Sequence, residues 1–304
     1  MKPIRLSIVL LTLILVTNAL AQPRILFVRG ADRSGGFLEA NNDQQRTEQL
    51  SDIFNSATNN GNHGWGQLRQ SLENVGFIVE QITEQAENDA GPSNGLPIAF
   101  ESLNLTSYSI LVMASNNARY PVASVDAVEL FIRSGGSALF ISDANFGSDW
   151  SDAPSSDQDF LDRFGLIMNQ DQGTYVLRRS EGDFGLPDHP VLDGIQAFDG
   201  EGVSPIDTQN NGEVLVAAKN ATRINQPPFG NNNQGASRPV LSTDGALVIL
   251  EAGAGRIAGH FDRNTFFNTN GAGTDITRFD NRQYALNLFA WLANSNRLFA
   301  DGFE

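Results

Sequence analysis

The sequence predicts an α/β fold, a three-layer, mostly parallel open sheet with helices on both faces. Three observations carry this. Short β-rich apolar runs alternate with stretches of helical period along the chain. Some of these runs are apolar at every position, as in strands covered on both faces. One strand–helix–strand unit is complete within residues 109–142, and such a unit implies parallel strands joined by a crossover.

The chain opens with Lys2 and Arg5, an apolar run from Leu6 to Val16, and Ala19-Leu20-Ala21. A basic head, a run too short to cross a bilayer comfortably and small residues before a cut predict a signal peptide over 1–21, cleaved near Ala21-Gln22. The expected location is secreted or periplasmic, with no span left after processing. Residues 22–296 then form one domain, with a polar insertion near 207–238 and a tail at 297–304.

Within that domain, Arg24–Arg29 is a compact first strand, and residues 31–62 are polar enough to be a surface excursion. Leu68, Leu72 and Val75 mark one face of a helix that Gly76 stops before the strand Phe77-Ile78-Val79. Ser109–Ala114 is a buried strand. Ser124 is expected to cap the next helix, with Asp126 and Glu129 placed early for the helix dipole. Gly135-Gly136 ends that helix, and Ala138–Ser142 is the following strand. A short helix is expected over 157–164, and strands at Gly173–Arg179, Glu213–Ala218, Ala246–Glu251 and Arg256–His260. Asp280 is expected to cap a last helix through Tyr284, Leu288 and Leu292.

Composition narrows the function. The formal charge is −15, and the predicted leader removes two bases and no acid. Such a surface repels nucleic acid and anionic lipid, whose binding depends on Lys and Arg at phosphates. There are 0 Cys, so a buried core must supply stability without disulfides.

Four segments together resemble the class I glutamine amidotransferase-like superfamily, which is flavodoxin-like in fold. They are Ile25–Val28 with its loop; Ile110–Met113 through Gly135-Gly136 to Ser142; His189-Pro190-Val191-Leu192-Asp193-Gly194-Ile195; and Gly255–Asp262 with Phe266-Phe267-Asn268 and the helix ending Trp291-Leu292. The third is similar to trehalose-utilisation-type members, and the fourth to non-catalytic members of bacterial surface and envelope proteins. The Phe299–Glu304 ending is similar to that of many exported proteobacterial proteins. The resemblance implies a Cys nucleophile after the strand ending at Ser142, yet the turn reads Ser142-Asp143-Ala144-Asn145. Glutamine hydrolysis by that mechanism is excluded. Ser142 lacks the Gly-x-Ser-x-Gly setting of a serine hydrolase.

Open α/β sheets bind ligands beyond the carboxyl ends of their strands. The candidate ligand-binding residues on that edge are His63, Trp65, Asp143, Asn145, His260, Asp262 and Asn264, and the candidate acid–base groups are Asp143, Glu201, His260 and Asp262. His260 and Asp262 stand two apart at a strand end, so they can face one side. His189 beside Pro190 reads as structural. The acidic loop 148–157 lacks the ligand order of a calcium loop, and Gly35-Gly36 does not make a dinucleotide fingerprint. No metal or cofactor is expected. The reading is an exported, non-catalytic domain for a polar small molecule, a glycan or an envelope protein. The alternative is a secreted hydrolase, for instance on carbohydrate, built on those carboxylates.

Overall fold

The computed structural model describes residues 22–30, 51–58, 63–86, 95–115, 118–142, 155–169, 174–218, 222–225, 240–268 and 274–293. The leader, Gly35-Gly36, Asp143, Asn145, most of the acidic loop and the tail lie outside the described residues.

In chain order the strands are β1 (Arg24–Arg29), β2 (Ile78–Thr83), β3 (Gln85–Ala86), β4 (Gly95–Leu96), β5 (Ile110–Ser115), β6 (Ser137–Ile141), β7 (Ile167–Met168), β8 (Thr174–Arg178), β9 (Ala197–Glu201), β10 (Ile206–Asp207), β11 (Glu213–Ala217), β12 (Thr222–Asn225), β13 (Asp244–Ala252) and β14 (Gly255–His260). The α-helices are α1 (Gly66–Asn74), α2 (Val122–Arg133), α3 (Ser155–Leu161) and α4 (Asn281–Leu292). The main sheet runs β2-β1-β5-β6-β14-β13-β10-β7, with β11 also paired to β13. Its first five strands are parallel, and β13, β10, β7 and β11 extend it antiparallel. A second antiparallel sheet, β12-β8-β9, and the β3–β4 pair complete the fold.

Alternate residues of the parallel strands enter opposite cores, as the two-residue period of a strand demands. Ile25, Phe27, Val112, Leu139 and Ile141 pack with Leu68 and Leu72 of α1 and with Tyr284, Leu288 and Phe289 of α4. Leu26, Val28, Leu111, Met113 and Phe140 pack with Val128, Phe131 and Ile132 of α2 and with Phe160 and Leu161 of α3. Three layers follow. The β13–β14 hairpin turns at Gly253, whose φ is +66°, and a Cβ there would lie 2.5 Å from the Arg133 carbonyl oxygen. That close approach seats the hairpin on the end of α2.

Two capping expectations are corrected. α2 begins at Val122 rather than after Ser124, so Ser124 is inside the first turn and its Oγ donates to Glu101 (2.6 Å). Asp126 and Glu129 accordingly lie past that turn and pair with Arg163 (2.6 Å) and Arg133 (2.8 Å). Asp280 holds the N-cap position of α4, its carbonyl accepting from Tyr284 N (2.8 Å), but its side chain makes no bond to the helix. Its Oδ2 accepts instead from Gln196 N (2.7 Å) and Ala197 N (3.0 Å), tying the helix start to β9. Within the stretch expected as a polar insertion near 207–238, the expected strand at Glu213–Ala218 is present as β11 and pairs with β13, as does β10 (Ile206–Asp207) at its start.

Candidate functional site

Parallel pairing of β2, β1, β5, β6 and β14 brings their carboxyl ends to one edge. The register sets Arg29 opposite Thr83 and Ser115, and His260 opposite Ile141. Ser142 N donates to the His260 carbonyl (2.8 Å), so the ends of β6 and β14 meet directly.

His63 and Trp65 reach this edge because Asn268 holds three segments together. Its Nδ2 donates to Asn55 O (2.6 Å) and Ala57 O (3.1 Å), its Oδ1 accepts from Gln67 N (2.9 Å), and its N donates to Gly64 O (2.8 Å). A Cβ on Gly64 would stand 2.6 Å, and one on Gly66 2.5 Å, from Asn55 O, so glycine is what lets these strands of chain touch. Residues 51–58 therefore run over the surface but are anchored to the domain, with Ser51 and Ile53 buried and residues 54 and 56–58 exposed. The His63 ring meets Phe267 edge-on (4.5 Å between centroids), Trp65 meets Phe266 (5.9 Å), and Phe266 lies 4.9 Å from His260.

His260 is 0% exposed. Thr265 Oγ1 donates to Asp199 O (2.8 Å), so toward His260 Nε2 (3.0 Å) it acts as acceptor. Nδ1 is left to accept from the Tyr284 hydroxyl (3.0 Å). The ring is thus neutral with its proton on Nε2. Burial, which penalises the charged form, pushes its pKa down to about 3, with a backbone contact at Asp262 opposing. Tyr284 is raised well above its ordinary value by the same burial.

Asp262, also 0% exposed, accepts from Glu201 N (2.8 Å) through Oδ2 and from Asn264 N (3.0 Å) through Oδ1. Glu201 is half-buried and its Oε2 accepts from Thr274 N (3.2 Å); Asn264 is half-buried as well. The structure therefore brings Glu201, His260, Asp262 and Asn264 together at the meeting of β9 and β14, with His63 and Trp65 one ring away. Both carboxylate oxygens of Asp262 and both nitrogens of His260 are spent on internal bonds. Among the described residues no group of three or more His, Cys, Asp or Glu is arranged to hold a metal ion.

Sequence reading missed the partners that close this cluster: Tyr284, Thr265, Asp199, Asn268 and Asn281. Asp199 is 0% exposed, exchanges bonds with Asn281 (Nδ2 to Oδ1, 2.9 Å; its own N to Asn281 Oδ1, 3.1 Å) and faces Arg278 Nε (2.8 Å). Burial nonetheless raises its pKa, against the pull of Asn281 and Arg278. Polar residues inside the apolar α4 pattern were the available signal. Two atoms near the rim, Trp65 Nε1 and Ser142 Oγ, have no hydrogen-bond partner among the described residues although both side chains are fully buried. His189 caps the 3-10 turn Pro190–Leu192, its Nδ1 accepting from Val191 N (3.3 Å), and its ring packs on Trp291 (5.5 Å).

Neither a protein-family profile nor any curated protein sequence matches the chain. Solved structures do. The mmIFT52 N-terminal domain aligns over 90% of this chain and 98% of its own, with a TM-score of 0.53 and 14% identity. These are likenesses of fold alone. A cytoplasmic protein from Salmonella typhimurium (TM-score 0.46, 12% identity, 88% and 98% covered) and a ThuA-like protein from Parabacteroides merdae (0.45, 14%, 90% and 90%) also align. Among the described residues no helix is long and apolar enough to cross a membrane.

Proposed function

We propose that the chain is an exported, non-catalytic binding domain of the glutamine amidotransferase-like kind, which engages a glycan or an envelope protein from the carboxyl rim of its sheet. The observation that carries this reading is the sealed state of His260 and Asp262. A general base must reach the proton it removes. Here the imidazole is bonded at both nitrogens, and the carboxylate is bonded to main-chain N–H groups. The absence of Cys removes the thiol route. Glu201 and Asn264 are the half-buried members of the rim cluster, where His260 and Asp262 are fully buried. The leader-like sequence at 1–21 and an acidic, thiol-free chain support export.

The test is to incubate the protein purified from secreting cells with a panel of polysaccharides and envelope proteins, reading binding by calorimetry and bond cleavage by reducing-end release. Binding without release, weakened at least about fivefold by Asn264→Ala, is expected. Release abolished by Glu201→Gln would establish the hydrolase instead, and a panel with no binder would remove the binding reading. Intact-mass analysis of the same material should give a chain starting at Gln22; one starting at Met1 would contradict export by leader cleavage.

A further inference from the structure

Away from the rim, a cleft of about 690 Å³ opens beside the 187–196 turn, lined by Arg179, Pro187, Asp188, Pro190, Asp193 and Gln196. We infer that this cleft binds a neutral saccharide through adjacent hydroxyl groups.

Its walls are fixed. Arg179 donates from Nε to Ile195 O (2.9 Å), from Nη1 to Pro187 O (3.1 Å) and from Nη2 to Leu192 O (2.6 Å), with its guanidinium over Phe184 (5.3 Å). From the other side Asn287 Nδ2 donates to Asp193 O (2.9 Å) and Val191 O (3.3 Å), and Asp280 holds Gln196 N. The backbone of the turn is therefore braced by a helix and an arginine. Its functional groups are not. Among the described residues the side chains of Asp188, Asp193 and Gln196 make no hydrogen bond or ion pair, and all three are exposed. Arg179 has five N–H donors and, among the described residues, uses three, all on neutral carbonyls, which leaves one N–H on each terminal nitrogen.

The ligand class follows from that inventory. Two carboxylates only accept, the guanidinium only donates, and the carboxamide does both. A hydroxyl donates to a carboxylate and accepts from a guanidinium at once, so a polyol satisfies every group. An anion would face two carboxylates on a chain of net charge −15. A compact cation would face Arg179. The rings of Pro187 and Pro190 give the C–H face of a sugar an apolar wall, and the volume lies within the range of small-ligand sites. This inference does not rest on the rim reading, since none of its residues belongs to the rim.

Titration of the protein with maltose, cellobiose and N,N′-diacetylchitobiose, followed by calorimetry and amide NMR, tests it. At least one should bind with a Kd near about 1 mM or tighter, shifting the amides of residues 179 and 187–196. The double variant Asp188→Asn, Asp193→Asn should weaken that binding about tenfold or more, and Asn264→Ala should leave it unchanged. Both aspartates are exposed, so an unaltered melting temperature will certify the double variant as folded. Failure of all three sugars to bind, equal binding by the double variant, or saturation by calcium or spermidine in place of sugar would each overturn the proposal. Loss of binding in Asn264→Ala with shifts confined to the rim would assign the sugar to the rim and likewise overturn it.

Discussion

At the strand ends, His260 and Asp262 are fully buried and bonded to Tyr284, Thr265 and the main chain at 201 and 264. In the cleft beside α4, Asp188 and Asp193 are exposed, and their carboxylates are bonded to nothing among the described residues. Both regions hold acids next to a basic side chain, yet their states differ. The rim spends the side chains of His260 and Asp262 on holding β9, β14 and α4 together, whereas in the cleft Arg179 braces the backbone and, among the described residues, the side chains of Asp188, Asp193 and Gln196 are unbonded. Position at the carboxyl edge of an α/β sheet places polar residues together, but only unspent hydrogen-bonding capacity makes them available to a ligand.

Variants on the two sides should separate sharply. Trp65→Ala, which empties a fully buried ring site packed on Phe27 and Phe266, should lower stability by about 3–5 kcal/mol in denaturant unfolding. Trp65→Phe, which removes an indole N–H that has no partner among the described residues, should cost much less. Tyr284→Phe leaves His260 Nδ1 buried without its donor and should cost about 1–3 kcal/mol. A loss below about 0.5 kcal/mol would mean the hydroxyl does not close the rim. Acid should act in the same place. His260 has a depressed folded pKa, so its contribution is complete above the unfolded value of 6.5 and fades as pH falls toward about 3. The full shift corresponds to on the order of 5 kcal/mol. His189, also lowered by burial, adds to this fall, while the raised pKa values of Asp183 and Asp199 act oppositely, favouring the fold at low pH. His260→Gln should therefore flatten the decline between pH 6 and pH 4 relative to the parent. At the small end, Asp188→Asn and Asp193→Asn should each change stability by less than about 0.5 kcal/mol. A large loss would show that these carboxylates are structural after all.

The sequence carried much of this architecture, and the limits have physical causes. Apolar runs at Ile25–Val28, Ile110–Met113 and Ala138–Ile141 read as buried strands because both faces of the sheet are covered. The parallel pairing of β5 with β6 followed from the strand–helix–strand unit, whereas the place of β14 beside β6 depends on pairing across more than a hundred residues. β9 escaped notice because Asp199, Gly200 and Glu201 look like loop residues; burial of Asp199 against Asn281 and Arg278 keeps them in a strand. The start of α2 was misplaced because Ser124 looked like a cap, while Glu101, 23 residues upstream, is what its hydroxyl meets. At the rim the residue types at the strand ends were readable, but their burial was not. Whether His260 points to solvent or to Tyr284 depends on contacts 24 residues apart, which no local pattern encodes. The cleft was hidden for a related reason. His189 beside Pro190 was legible as structural, but Arg179, which braces the stretch that follows, comes from just after β8.

Imidazole NMR titration of the protein, which has only 3 His, reads the state of the rim directly. The His260 ring should stay neutral, protonated at Nε2, down to a pKa of about 3, or until the protein unfolds. A folded protein in which that ring titrates near 6.5 would place it in contact with water and contradict the sealed rim.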